Sequence, residues 1–179
     1  MMKHKLILVI IVALATSFTV LPKTSRIAFK PIPFSYVIFA VDIRDGQMSK
    51  KLESVPATYQ APKGKVTSAT YTITGAKSTV RLKIIEAIFQ SQADPATGLL
   101  DPASYIGLYK LSVGKSNRTF EMNANGTSTS MMLISFTSLE QLSRRIAVTG
   151  AILPGEYAFV DRTTTDGSGN VTVWCFGID

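Results

Sequence analysis

The feature that most constrains the fold is a series of short runs in which apolar and polar residues alternate. In SATYTIT (68–74), Tyr71 and Ile73 fall on one face and the threonines fall on the other. STVRLKI (78–84) alternates in the same way. Glycine or proline separates many of these runs, and no long helical pattern lies between them. The sequence therefore predicts an all-β chain, built as a sandwich or a barrel.

Other segments of the same kind extend this prediction. Residues 47–65 are polar and contain two prolines, which predicts a loop. Residues 85–91 match both a strand and one face of a helix, so the two alternatives stay open. Asp-Pro pairs at Asp94 and Asp101 predict two short helical turns, because aspartate caps a helix and proline suits its first position. Further strands are predicted at 34–41, 105–113, 118–122, 131–136, 144–152, 157–161 and 170–177.

One short segment favours a particular kind of sandwich. In immunoglobulin-like domains, a tyrosine near the start of the penultimate strand donates a hydrogen bond to backbone a few residues upstream. Tyr157 has that position, with Pro154 and Gly155 supplying the turn before it and Leu153 expected to fill the end of the core. A hairpin loop and one last strand follow. The expected fold is an immunoglobulin-like antiparallel β-sandwich.

The C-terminal part also carries a resemblance. The segments PGEYAF (154–159) and WCFGID (174–179) resemble the end of a group of secreted bacterial proteins of uncharacterised function. In that group a PGEYA segment precedes a last strand that closes on FG and a small acidic ending. The resemblance covers about 27 residues. It implies a bacterial, extracytoplasmic β-sandwich and supplies no activity and no catalytic residue.

The N-terminus predicts export. Basic residues precede an apolar run from Leu6 to Ala15, and small residues stand at the cleavage positions, as in a secretory signal peptide. The expected organisation is a signal peptide at 1–15, a proline-containing arm at 16–33 and one β-domain at 34–179. The expected location is periplasmic, cell-surface or secreted. The alternative is an uncleaved membrane anchor, although the apolar run is short for a membrane span.

The composition of the mature chain excludes several chemistries. Cleavage after Ala15 removes His4, the only histidine, and lowers the formal net charge from +7 to +5 by removing two lysines. Cys175 is the only cysteine. The missing histidine excludes histidine-based triads, the single cysteine excludes internal disulfides, and the two together nearly exclude a zinc site. GKS (114–116) lacks the earlier glycine of a phosphate loop, and DGSGN (166–170) lacks the ligands of a calcium loop. We therefore expect no catalytic triad, metal or cofactor.

The first functional hypothesis is a non-enzymatic binding or accessory module. Arg81 and Lys83 share the polar face of their predicted strand. Such cations suit an anionic cell-surface polymer or an acidic protein partner, or they only keep the protein soluble. Export argues against nucleic acid, and the membrane would be reached only through an uncleaved signal segment.

The last predicted strand offers a second binding feature. In NVTVWCFG (170–177), the smaller residues of one face alternate with Trp174 and Phe176 on the other. If the smaller set packs in the core, the two aromatics point outward and could stack on a sugar or a partner. The alternative, which we favour, is that both faces are covered, for instance by the arm at 22–33.

The second functional hypothesis is a carboxylate-dependent hydrolase of envelope polysaccharide. Asp42 with Asp45, and Asp94 with Asp101, are the acid pairs nearest in sequence. Such an enzyme requires two carboxylates that face one cleft, roughly 5–10 Å apart.

Overall fold

The computed structural model describes residues 38–41, 48–84, 87–92, 101–139 and 143–179. The signal segment, the arm at 16–33, the Asp42–Asp45 pair and Asp94 lie outside the described residues. The strands are β1 (Ile38–Val41), β2 (Met48–Lys51), β3 (Glu53–Gln60), β4 (Ala69–Thr74), β5 (Arg81–Leu82), β6 (Ile88–Gln92), β7 (Ile106–Lys110), β8 (Ser112–Val113), β9 (Asn117–Met122), β10 (Met131–Met132), β11 (Ile134–Ser138), β12 (Ser143–Val148), β13 (Gly155–Asp161) and β14 (Val171–Ile178). The all-β prediction is confirmed.

One sheet closes on itself as a barrel. This sheet also holds β10, which pairs antiparallel with β7, and β5, which pairs in parallel with β14. The strands that form the barrel follow the order β7-β13-β14-β3-β4-β9-β8, with each neighbouring pair antiparallel. Strands β7 and β8 are consecutive parts of one stretch, 106–113, joined at Leu111, whose amide donates to the Glu156 carbonyl. This stretch pairs with β13 at its start and with β9 at its end, so it joins the two edges of the sheet.

The inside of the barrel is filled by side chains from all of these strands except the two-residue β8. Tyr71 stacks on Phe120, with ring centroids 5.0 Å apart, and Tyr109 packs against Phe120 at 5.1 Å. A closed barrel this small has room for side chains only. The barrel core is formed by Ala57, Ala69, Tyr71, Ile73, Tyr109, Leu111, Phe120, Met122, Ala158, Val160, Val171, Val173 and Cys175.

A second sheet packs on the outside of the barrel. Its order is β11-β12-β6-β1-β2, again antiparallel. Phe89 of β6 packs against Phe159 and Phe176 of the barrel wall, with both ring centroids 4.9 Å away. We call the apolar layer between this sheet and the barrel the inter-sheet core. The described residues thus form two cores, and strands β13 and β14 contribute side chains to both.

The burial of Trp174 and Phe176 overturns the idea that they form an outward-facing binding surface. Trp174 is 2 % exposed and Phe176 is 0 % exposed, because their face of β14 is covered by the second sheet. The smaller residues on the opposite face, Val173 among them, line the barrel interior. Both faces of the last strand are therefore core faces. Among the described residues, the second sheet covers the face that carries Trp174 and Phe176.

Two segments differ from their sequence-based predictions. Residues 47–65 were expected to form a loop, yet they contain β2 and the eight-residue β3. Pro56 is tolerated there because β3 is paired only with β14 at that position, and its pairing with β4 begins at Thr58. The strand expected over 78–84 is reduced to the two residues of β5, which pair in parallel with the end of β14.

Candidate functional site

A buried ion pair lies at the end of the barrel where β3 begins and β4 ends. Arg118 of β9 is 1 % exposed and Glu156 of β13 is 4 % exposed, and their nearest charged atoms, Nη1 and Oε2, are 3.5 Å apart. Arg118 also donates from Nε to the Gly75 carbonyl at 2.9 Å. Buried charges require partners of this kind, because desolvation of an unpaired ion is costly.

Further contacts tie this pair to the loop at 75–80. The Ser78 amide donates to Glu156 Oε2 at 2.8 Å, and the Ser78 hydroxyl donates to Glu53 Oε2 at 2.8 Å. Glu53 also lies 3.8 Å from Arg118. Arg81 of β5 contacts Glu156 and forms a second ion pair with Asp179. We call Glu53, Ser78, Arg81, Arg118 and Glu156 the ion-pair cluster.

Gly177 makes room for this cluster. A Cβ atom at Gly177 would overlap the Arg81 guanidinium. The absence of a side chain in this part of β14 therefore lets Arg81 cross the strand and reach Glu156. The hydrogen bond to Asp179 raises the pKa of Arg81, and the same contact lowers the pKa of Asp179. Arg81 and Asp179 therefore keep their charges as an ion pair.

This arrangement is structural rather than acid–base chemistry. Glu53 and Glu156 are acids brought together by the fold, but each accepts hydrogen bonds from Ser78 and lies within ion-pair distance of an arginine. Glu156 is also buried. A glycosidase pair needs a proton donor that faces an open cleft. The hydrolase hypothesis stays a prediction to which these two acids add no support.

Exposed lysines surround the ion-pair cluster. Lys50 donates to the Arg81 carbonyl, and Lys77 lies in the loop at 75–80. Lys115 lies in the β8–β9 turn, where Ser116 accepts a hydrogen bond from Gly75 at 2.9 Å. We call this surface the lysine-rich end, and it comprises the exposed side chains of Lys50, Lys77, Lys83, Lys110 and Lys115.

The opposite end of the barrel has a different charge pattern. Exposed Glu121 lies beside Thr70 at the start of β4, and exposed Asp166 lies in the β13–β14 hairpin. Exposed Asp101 caps the 3-10 turn at 102–104 by accepting from the Ala103 amide, which confirms the helical turn predicted there. Lys63 and Lys65 in the β3–β4 hairpin are also found at this end. Three exposed acids thus accompany two lysines at this end, whereas five exposed lysines surround the exposed Asp179 at the other end.

The cationic residues predicted from the sequence have separate roles. Arg81 is partly buried in its two ion pairs, and Lys83 is exposed. Arg144 is buried and donates to the Tyr105 hydroxyl. Of the two predicted cations, Lys83 thus contributes to the exposed surface, whereas Arg81, like Arg144 of β12, mainly organises the interior.

The four predicted corner residues lie where the chain enters β13. Tyr157 is buried, and its hydroxyl donates to the Leu153 carbonyl at 2.6 Å. The Leu153 side chain does not fill the core as expected, because it is 59 % exposed, and Ile152 is buried instead. Pro154 and Gly155 lie in the turn between Leu153 and Tyr157. Leu153 therefore contributes its carbonyl to the corner rather than its side chain.

The sequence does not predict that Glu53 and Glu156 pair with Arg118. Glu156 pairs with residues 75, 78 and 38 positions away, so no local spacing connects them. The one available signal was the alternation of Arg118 with Phe120 and Met122, which places the arginine on the inward face of β9.

Comparisons with protein-family models, with curated proteins and with solved structures find no match to this chain. The C-terminal resemblance to secreted bacterial proteins therefore stays a prediction. Within the described ranges, no helix has the length and apolarity of a membrane span. The same ranges hold no group of three or more histidine, cysteine, aspartate or glutamate side chains able to bind a metal.

Proposed function

We propose that the protein is an exported, non-enzymatic binding or accessory β-protein that binds an anionic polymer of the cell surface through the lysine-rich end. The observation that carries this proposal is the gathering of exposed lysines around one end of the barrel. Clustered cations attract polyanions over distances set by the ionic strength. The ion-pair cluster beneath them fixes the loop on which Lys77 stands.

Two further parts of the proposal rest on the sequence. Export is supported by the signal-peptide pattern of residues 1–15, and N-terminal sequencing of the mature protein should begin at Thr16. A mature chain that keeps Leu6 to Ala15 in the membrane fraction contradicts export with cleavage. The immunoglobulin-like arrangement is supported by the Tyr157 corner, whereas the closure of β8 on β9 departs from an open two-sheet sandwich.

Binding is tested with poly(glycerol phosphate), a phosphate-rich polymer, at several salt concentrations. We expect the Lys77→Gln, Lys115→Gln double variant to bind about thirtyfold more weakly at low salt, the order expected for two lysines near an anionic surface. The Lys63→Gln, Lys65→Gln variant is the matched control, because it removes the same charge from the opposite end. Equal losses in both variants indicate unspecific attraction and overturn the proposal.

A further inference from the structure

The inter-sheet core opens into an apolar groove at one edge. The groove has a volume of about 450 Å³, within the range of small-molecule sites. Ile152, at its inner side, belongs to the inter-sheet core, and Ala87 and Val148 pack against that core. A ligand in the groove would therefore extend an existing apolar layer.

Large apolar side chains are left exposed at the rim of this groove. Ile84 is 47 % exposed and Leu153 is 59 % exposed, and both line the groove. They belong to two different segments, one before β6 and one before β13, so the rim has two apolar sides. Covering these side chains would remove apolar surface from water, which favours binding.

Two exposed lysines lie close to residues that line the groove. The Lys110 stem lies along Gly155, with Cε 3.5 Å from the place of a Cβ atom, two residues after Leu153. Lys83 is exposed and directly precedes Ile84. An apolar groove with lysines near its rim is complementary to a molecule with a linear apolar chain and a negative head group.

We propose that this groove binds the acyl chain of a single-chain anionic amphiphile, with the head group beside Lys110. The proposal goes beyond binding of a surface polymer, because it names an apolar groove beside the lysine-rich end and another class of ligand, although Lys83 and Lys110 belong to both sites. Leu153 and Ile84 cover the acyl chain, and Lys110 favours a negatively charged head group.

Laurate, titrated below its micelle concentration and followed by calorimetry, is the probe. We expect Leu153→Gln to weaken binding about tenfold, because the apolar cover is lost. Val66→Gln should leave binding unchanged, since Val66 is similarly exposed but lies in the β3–β4 hairpin. Lys110→Gln should weaken binding about two- to fivefold, with Lys63→Gln as its control.

Chain length and head group provide two more comparisons. Octanoate, with a shorter chain, should bind at least about tenfold more weakly than laurate. Dodecyltrimethylammonium has a chain of the same length and the opposite charge, and it should also bind more weakly than laurate. The Lys77→Gln, Lys115→Gln variant should bind laurate normally, which separates this test from the polymer test. The proposal is overturned by absent laurate binding, by equal effects of Leu153→Gln and Val66→Gln, by equal affinity for the cationic amphiphile, or by binding to phosphatidylglycerol vesicles alone.

Discussion

Tyr157 uses its ring and its hydroxyl for two different contacts. The ring stacks on Phe176 in the inter-sheet core, with centroids 5.5 Å apart, while the hydroxyl holds the Leu153 carbonyl at 2.6 Å. Burial raises the pKa of Tyr157, so the hydroxyl keeps its proton and remains a donor at neutral pH. One side chain thereby joins the corner to the core.

Tyr157→Phe keeps the ring and removes this hydrogen bond. We expect the free energy of unfolding to fall by about 0.5–1.5 kcal/mol, the usual net contribution of one hydrogen bond. Urea unfolding measures the change. Tyr59→Phe, in a half-buried ring of β3, is the control and should change stability less. Equal stability of Tyr157→Phe and the unmodified protein would refute this role of the hydroxyl.

Asp161 is a buried acid at the other end of β13. Its Oδ1 accepts from the amide and hydroxyl of Thr163, whereas Oδ2 finds no hydrogen-bond partner among the described residues. Burial raises the pKa of Asp161 above its ordinary value of 3.8. Because the folded state holds this proton more tightly than the unfolded state, the contribution of Asp161 to stability falls as the pH rises from about 3.8 through the folded pKa.

Asp161→Asn removes this pH dependence and keeps an oxygen that can accept from Thr163. The free energy of unfolding of the variant minus that of the unmodified protein should therefore be higher at pH 7 than at pH 3. Urea unfolding of both proteins at the two pH values gives this comparison. A stability difference that does not change with pH would contradict the predicted titration.

At the scale of elements, sequence patterns located strands well where one face is buried. The bounds expected for β4, β9 and β14 agree with the structure within about one residue. β4 and β9 alternate between a core face and a more exposed face, and β14 alternates between smaller and larger residues on its two core faces. β3 was missed because Pro56 was taken as a loop signal, and its tolerance depends on which neighbour pairs at that residue. Local sequence does not encode such a register.

The candidate site was predicted only in part for the same reason. Arg81 and Lys83 were identified as cations, but the acids that hold Arg81 come from the distant β13 and from the end of the chain. The aromatic residues of β14 were assigned two alternatives because alternation separates the faces of a strand without saying what covers each face. The second sheet decides between them.

Glu156 links three strands through the ion-pair cluster. Glu156→Gln leaves Arg118 buried without its closest carboxylate, and we expect a loss of about 3–5 kcal/mol in the free energy of unfolding, as for other broken buried pairs. Chemical unfolding measures the loss. Asp179→Asn is the control, because it removes an exposed partner of Arg81 and should have a small effect. Similar effects of the two substitutions would contradict the importance of burial.

For the whole molecule, the two cores are joined by shared strands. β13 supplies Phe159 to the inter-sheet core and Val160 to the barrel core. The pairing of β13 with both β7 and β14 continues through these residues. Neither core can lose these strands without disrupting the other, so the two should unfold together.

Matched substitutions test this coupling. Ile146→Val in the inter-sheet core and Ile73→Val in the barrel core each remove one methyl group from a fully buried side chain. We expect each to lower the free energy of unfolding by about 0.5–1.5 kcal/mol and to shift one common transition. Thermal unfolding followed by near- and far-ultraviolet circular dichroism measures it. Two separate transitions, each shifted by only one substitution, would show that the cores unfold independently.

The closure of the barrel also bears on self-association. Unpaired strand edges are where β-proteins recruit other chains, and in this molecule a seam of two residue pairs, between β8 and β9, occupies such an edge. If the seam opens while the rest of the barrel stays folded, the edges of β8 and β9 become available together. The β8 edge of one copy can then pair with the β9 edge of a second copy, and the reverse. A weakened seam would therefore favour domain-swapped dimers over disordered aggregates.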